Sequence, residues 1–334
     1  MTGSVYAIPC EFDRLDGWAE DDQAAALHAL ANAATREDIE GLHEADARAF
    51  FESRFELFAA PGATPGFVTG YYEPELRGSM IKSRRFSVPI YARPSDLVTT
   101  INETDRAAHN DAPTGFRVTP DGMVPYFTRA EIEAGALDRH GFDILYTDDP
   151  ADLYFMHVQG SGLVHLDDGN SVRLTYAGKN GHPYTSLARV LVDLGELDAG
   201  GIDMAALKAW LRADPERGRA LMRSNQSYIF FSVLRGGEAA RGPSGAKGVP
   251  LTAGRSLAMD PAYIPLGTPV FVTVPHLAGE DGQPFRRLMI AQDVGSAIRG
   301  PQRGDIFFGT GEIAGALAGR TRHVARFHVL KRKR

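Results

Sequence analysis

Two aspartates, Asp293 and Asp305, stand where apolar runs meet a glycine-rich connection, and they are the residues best placed for chemistry. Leu288-Met289-Ile290-Ala291 leads into Asp293, and Ile306-Phe307-Phe308 leaves from Asp305, so both carboxyls are expected at strand ends. Gly295, Gly300, Pro301 and Gly304 lie between them and make the connection a shaped loop, not a helix. A carboxyl beside Phe307 and Phe308 loses hydration, which raises its pKa and lets it hold a proton near neutral pH as a general acid. Asp305 is the acid candidate on this ground. The competing reading is that each aspartate only shapes its turn.

Other stretches carry groups suited to a polar ligand. Phe67 to Pro74 forms a short aromatic strand, and Tyr71 and Tyr72 at its end are either core filler or flat amphipathic rings that stack on sugars. A strand expected from Asp152 to Val158 runs into Gln159-Gly160-Ser161-Gly162, and one from Val172 to Tyr176 runs into Ala177-Gly178-Lys179-Asn180-Gly181. Gln159, Ser161, Lys179 and Asn180 offer hydrogen-bonding groups, and Gly160 removes a side chain that would block approach. Hairpin chemistry alone is the other reading of both turns. Asp260, between Met259 and Pro261, is expected to brace a strand turn through backbone hydrogen bonds.

Several apparent motifs fail on context. Gly309-Thr310-Gly311-Glu312-Ile313-Ala314-Gly315 mimics a dinucleotide loop, but too little chain follows for the required βαβ unit. His157, His165 and His182 have no ligand spacing, and Cys10 is alone, so neither a metal nor any other cofactor is expected. No nucleophile elbow is present, and Ser296 has no histidine near it in sequence.

The elements that must position these groups fit a chain of 334 residues with 43% hydrophobic and 23% charged residues, enough for two domains. The net charge of −6 and pI near 5.9 argue against a nucleic-acid binder, and only Lys331 to Arg334 is a basic run. Helical spacing extends from Glu20 to about Ala60, where His28 and His43 are expected as surface groups, and Ala63-Pro65-Gly66 ends it. Val88 to Tyr91 and Ile144 to Tyr146 are strand-like, and Asp96 to Gly122 is a polar excursion. Thr185 to Leu197 and Met204 to Leu211 have helical spacing, and Tyr228 to Ser232 is a strand. The Gly-rich run from Arg235 to Gly248 is the expected domain boundary. Strands then resume at Pro269 to Val274, Arg287 to Ala291, Ile306 to Phe308 and Ala325 to Leu330.

GYYEP at residues 70–74, QGSG at 159–162, YAGKNGH at 176–182, GAKGVPLTAGRSLAMD at 245–260 and QDVGSAIRG at 292–300 occur in an order that resembles the membrane-bound lytic transglycosylase A family. The resemblance implies a mainly β fold with N-terminal helices. A double-psi β-barrel catalytic domain would be assembled from residues 1–73 and 238–334, with a second β-barrel inserted at 74–237 and the substrate groove between them. It marks Asp260, Asp293 and Asp305, the last as the single catalytic acid, and places Tyr71, Tyr72, Gln159, Gly160, Ser161, Lys179 and Asn180 along the glycan.

The implied reaction cleaves the bond between N-acetylmuramic acid and N-acetylglucosamine in peptidoglycan. Glycosidases ordinarily need two carboxylates. Here the muramic C6 hydroxyl attacks its own C1 and forms a 1,6-anhydro ring, so one carboxyl suffices, as acid and then as base. Asp293 would orient or polarise the site. An inverting hydrolase with Asp293 as base, or a non-catalytic murein-binding protein, are the rivals. Glycan strands are the expected partner, the chain is expected to be a monomer, and the periplasm with peripheral contact to the outer membrane is the implied location. Relatives are anchored through a cysteine after an apolar leader. Cys10 follows Tyr6-Ala7-Ile8-Pro9 with no such leader, so either it is missing from this stretch or the protein departs from the pattern.

Overall fold

The computed structural model describes residues 8–33, 46–60, 65–100, 113–198, 203–279 and 282–333. Expectations placed on Leu42, His43, Ala45 and Ala63, on the chain before Ile8, on residues 101–112 and on Arg334 lie outside the described residues. The chain packs as two compact units, one of Met1–Tyr72, Ser244–Gly309 and Ile313–Arg334, the other of Glu73–Pro243 and Thr310–Glu312. Strands dominate the first, and strands and helices share the second.

The first unit begins with β1 (Ile8–Cys10), α1 (Gln23–Ala33), α2 (Ala47–Arg54), β2 (Phe55–Ala59) and β3 (Gly66–Glu73). The helical pattern expected to reach about Ala60 therefore stops early. Phe55 and Leu57 are buried in an extended segment that pairs antiparallel with the C-terminal strand, a long-range partner that overrides local spacing.

The chain then builds the second unit. Its main elements are β4 (Glu75–Ser79), β5 (Val88–Tyr91), β6 (Val98–Thr99), β7 (Gly115–Thr119), β8 (Gly122–Pro125), β9 (Asp143–Thr147), α3 (Pro150–Gln159), β10 (Ser161–Leu166), β11 (Ser171–Lys179), α4 (Leu187–Asp193), α5 (Met204–Ala213), α6 (Pro215–Ser224) and β12 (Ile229–Leu234). The segment expected as a strand from Asp152 to Val158 is helical. Asp149 caps it by accepting from the Ala151 N–H at 2.7 Å, Pro150 pre-sets the first turn, and Gly160 ends it at φ +83°. Leu153, Tyr154, Phe155, Met156 and His157 are all buried, and five consecutive buried residues leave no amphipathic period to separate this helix from a buried strand. Six strands form a sheet in the order β12-β11-β10-β4-β9-β5, and a single bridge between Ala92 and Phe231 joins its two edges. Its core holds Leu76, Ile90, Leu145, Val164, Leu174 and Phe231 against Leu153 and Met156 of α3. The Gly-rich run after β12 contains one short helical stretch, Gly236–Ala240.

Back in the first unit come β13 (Ser256–Met259), β14 (Pro269–Ala278), β15 (Pro284–Asp293), β16 (Arg303–Thr310), α7 (Gly311–Arg320) and β17 (Arg322–Arg332). The sheet order is β1-β2-β17-β14-β15-β13-β16-β3, and pairing of β17 with β3 closes six of these strands into a barrel. Strand alternation sorts the faces: Val68, Leu257, Met259, Val270, Val272, Val274, Met289, Ile306 and Phe327 fill the interior. Phe271, Leu288 and Leu330 point outward and are covered by Trp18, Leu27, Phe50 and Phe51 of the N-terminal segment. A buried ion pair ties that segment down: Arg255 Nη1 donates to Asp21 Oδ2 at 3.0 Å, and the same oxygen accepts from the Leu288 N–H at 2.7 Å. The helices thus fix the outer wall of the strands that carry the aspartates.

Candidate active site

The two aspartates flank one strand. Ala258 of β13 is in register with Asp293 of β15 on one side and with Asp305 of β16 on the other. Two strand spacings put their backbones about 10 Å apart. Asp293 ends its strand as expected, whereas Asp305 is the third residue inside β16, because pairing with β13 extends the strand back to Arg303.

Alternation determines the surroundings of Asp305. Since Val68 and Ile306 point into the barrel core, Thr69 and Tyr71 of β3 and Asp305 and Phe307 of β16 share the other face. The two strands are neighbours, and the contacts advance in step. Thr69 Oγ1 donates to Asp305 Oδ1 at 2.6 Å, and the Tyr71 and Phe307 rings lie 5.2 Å apart. Arg303, two residues before Asp305 and so on the same face, donates from Nη2 to Thr69 Oγ1 at 2.7 Å and lies over the Phe67 ring. The threonine oxygen accepts from the guanidinium, so its own hydrogen is committed to Asp305 Oδ1. A proton on the neutral acid is therefore left to Oδ2.

Burial pushes the Asp305 pKa up to about 6, and the nearby Asp293 charge pushes the same way, against the opposing pull of Thr69 and Arg303. Asp305 is half-buried as a residue, so its acid group is not sealed in the barrel core. Asp293 is raised mainly by burial, and two N–H groups hold its Oδ1, those of Ala246 and Val294, each at 2.9 Å. The Tyr71 hydroxyl is buried beside Asp293 without a hydrogen bond of normal geometry, and burial followed by that negative charge drives its pKa well up. Tyr71 thus stays neutral and presents a phenol against the second carboxylate. Tyr72 faces the other way and is buried, with Gly315 of α7 against its ring.

Asp260 sits apart from this pair as a brace. Its Oδ2 accepts from the Gly300 N–H at 2.8 Å and its Oδ1 from the Ala262 N–H at 3.1 Å, which pins the loop joining Asp293 to β16. Two glycines at the far end of β16 meet a backbone requirement. Gly309 and Gly311 adopt φ of +109° and +90°, and a Cβ on Gly311 would lie 2.7 Å from Glu75 Oε2. Between them the Thr310 hydroxyl donates to Glu73 Oε2 at 2.7 Å, while Arg173 Nε holds Glu73 Oε1 at 2.9 Å. The pseudo-dinucleotide motif is a strand-to-helix turn.

In the second unit, Gln159 and Gly160 close α3, Ser161 opens β10, and Lys179 ends β11. Ser161 is paired with Thr175, so Lys179 lies about 13 Å farther along, at the same end of the sheet. Gln159, Gly160 and Lys179 are partly exposed, and Ser161 is nearly covered. The donors expected of Asn180 are instead consumed by backbone. Its Nδ2 donates to Phe127 O and Gln226 O, both at 2.8 Å, and its Oδ1 accepts from the Tyr228 N–H at 2.9 Å. Asn180 is wholly buried and cross-links three segments.

Thr69 and Arg303 escaped sequence reasoning, although their spacing of two from Tyr71 and Asp305 was a usable sign of a shared strand face. The three histidines go separate ways. His165 meets Glu75 and Ser171, His157 is buried on Arg129, and His182 bonds Tyr126 O. Among the described residues no three His, Cys, Asp or Glu side chains gather as a metal-binding group.

Comparison with known proteins places this geometry. The pattern described as "MltA specific insert domain" matches residues 67–232, and that described as "3D domain" matches 255–331. The chain is 35% identical over 268 residues to the membrane-bound lytic murein transglycosylase A of Escherichia coli K12, which covers 79% of this chain and 65% of that protein. The chain thus spans just under two thirds of that curated relative's length. A crystal structure of a membrane-bound lytic murein transglycosylase from Agrobacterium tumefaciens superposes with a TM-score of 0.88 at 35% identity, over 97% of each chain. That of Escherichia coli MltA with bound chitohexaose superposes with a TM-score of 0.70 at 30% identity, over 98% of this chain and 92% of the other.

Proposed function

Because the chain belongs to the membrane-bound lytic murein transglycosylase A family, we propose that it cleaves the β-1,4 bond between N-acetylmuramic acid and N-acetylglucosamine in peptidoglycan and leaves 1,6-anhydro ends. The observation that carries this reading is the Asp305 carboxyl, raised to about 6 and held at one oxygen by Thr69. Oδ2 delivers its proton to the glycosidic oxygen as the bond to C1 breaks. Positive charge then develops on the sugar ring, and the new carboxylate stabilises it. The muramic C6 hydroxyl attacks C1 and surrenders its proton to Asp305, which restores the acid without water. Asp293 and the neutral Tyr71 phenol orient the sugar and set the local field.

The six-stranded barrel is taken as a double-psi barrel, its catalytic domain running over 1–73 and 238–334 and the inserted domain over 74–237. Tyr71 contributes an aromatic face to the glycan, and Gln159, Gly160, Ser161 and Lys179 contribute polar contacts from the inserted domain, whereas Tyr72, expected beside Tyr71 on the glycan, is turned away and buried under α7. The hydrogen bonds of Asn180 make it the brace of that turn. Among the described residues no helix is long and apolar enough to cross a membrane. The reading places the protein as a monomer in the periplasm, peripheral to the outer membrane.

Mass spectrometry of peptidoglycan digested with the purified protein tests the activity. Anhydromuropeptides without new reducing ends are expected. New reducing ends would replace the reaction with hydrolysis, and murein binding without products would leave a binding protein.

A further inference from the structure

The segment around the connection between β4 and β5 is locally basic. From Leu76 to Ala92 there are four cations, Arg77, Lys82, Arg84 and Arg85, and no carboxylate, in a protein whose net charge is −6. At its tip Met80 and Ile81 are 54% and 76% exposed. They are held there by the loop's own bonding. Ser79 Oγ accepts from the Ile81 N–H at 3.1 Å, and Ser83 closes a turn by donating its N–H to Phe86 O at 2.9 Å while its Oγ accepts from the Phe86 N–H at 3.0 Å. Phe86 is buried and anchors the far side, with the Arg85 guanidinium over its ring.

The surrounding charges favour an anionic partner. Asp148 engages Arg77 at 3.1 Å and Arg85 at 3.5 Å, yet both arginine side chains remain more than 60% exposed. Lys82 lies over the Tyr146 ring, whose hydroxyl bonds Asp143. Lys82 and Arg84 are exposed. A pre-formed loop with two apolar side chains at its tip and cations around them matches a surface that is anionic outside and apolar a few ångströms deeper.

We propose that Met80 and Ile81 insert into the interface of a membrane rich in anionic phospholipid, with Lys82, Arg84, Arg85 and Arg77 on the headgroups. This assigns a surface to the peripheral membrane contact of the preceding reading, but it rests on different observations and is scored without murein cleavage, so either can fail alone.

Sedimentation with vesicles of phosphatidylcholine, alone or with about one third phosphatidylglycerol, tests it. The protein should bind only the anionic vesicles and release as salt rises. Lys82→Ala with Arg84→Ala spares the two arginines bound to Asp148 and should lower partitioning about 25-fold, roughly fivefold for each charge. Ile81→Ser should weaken binding without changing its salt dependence. Both variants are solvent-facing and should melt as the parent does, so lost binding reports the surface and not the fold. Absence of vesicle binding, equal binding to neutral vesicles, or full binding by both variants would overturn the proposal. So would loss of retention on isolated murein by the charge variant with vesicle binding intact, which would assign the loop to the polymer.

Discussion

Replacing Thr69 by valine keeps the shape of the side chain and removes only the hydroxyl that donates to Asp305 Oδ1 at 2.6 Å. A hydrogen bond to a charged acceptor is worth about 1.5 to 3 kcal/mol. It stabilises the carboxylate form, so its loss favours the proton. At about 1.4 kcal/mol per decade of acidity, the Asp305 pKa of about 6 should rise to about 7 or 8 in the variant. The direction in the assay follows from the role. A general acid must hold its proton for the first step, so the rate falls as pH rises through its pKa. Initial rates of anhydromuropeptide release, followed by liquid chromatography and mass spectrometry from about pH 4.5 to about pH 9, should show the alkaline limb of Thr69→Val about one to two pH units higher than that of the parent. Thr69→Ser keeps the hydroxyl and should leave the limb in place. Arg303 loses its acceptor in the valine variant and can turn toward the carboxylate, which would shrink the displacement. A limb that stays put or moves to lower pH in Thr69→Val would refute the relay from Arg303 through Thr69 to Asp305.

Asp305→Asn removes the transferable proton and should cut turnover by at least about 100-fold while glycan binding persists. Its effect on stability has a definite sign. The folded pKa of about 6 lies above the ordinary carboxyl value of about 3.9, so the proton stabilises the fold at low pH and that contribution is lost as pH rises from about 4 to about 6. At pH 7 the buried charge costs roughly 3 kcal/mol, and melting curves should show the asparagine variant a few degrees above the parent there, with the difference gone near pH 4. Asp260→Asn should instead lower the melting temperature by a few degrees at pH 7. One of the two backbone N–H groups it holds, those of Gly300 and Ala262, would then face an amide donor, a loss of about 1 to 3 kcal/mol. Gly70→Ala should destabilise by about 1 to 3 kcal/mol in chemical denaturation, since its Cβ would stand 2.5 Å from the Phe308 ring and 2.8 Å from the Ala318 backbone.

How far local pattern reaches is shown by individual segments. The runs around Ile290 and Ile306 are strands because short apolar stretches bounded by glycine and proline have few other options. The same rule failed for Asp152 to Val158, where burial of five consecutive residues, Leu153 to His157, erased the helical period that solvent would have imposed, although Asp149, Pro150 and Gly160 marked both ends of the helix. Phe55 to Ala59 became a strand for the converse reason. It pairs with β1 on one side and with β17, from the other end of the chain, on the other, and this pairing outweighed helical spacing. Asn180 shows the limit for side chains: a polar residue in a glycine-rich turn suits a ligand or the fold equally until its neighbours Phe127, Gln226 and Tyr228 are known.

By itself the sequence determined which residues could carry acid chemistry, since a carboxyl followed by Ile306-Phe307-Phe308 is desolvated in any fold that buries those rings. It also determined the strand faces, because alternation ties Arg303 to Asp305 and Thr69 to Tyr71 whatever the strands pair with. Only the tertiary structure decided which faces meet. Thr69 and Asp305 are 236 positions apart, and their hydrogen bond exists because β3 lies beside β16 and β17 closes the barrel. Likewise Asp293 and Asp305 come to one strand through the parallel and antiparallel partners of Ala258. Register of that kind is a property of the whole closed sheet, in which each strand's position is set by its neighbours' packing, and no local pattern of residues encodes it.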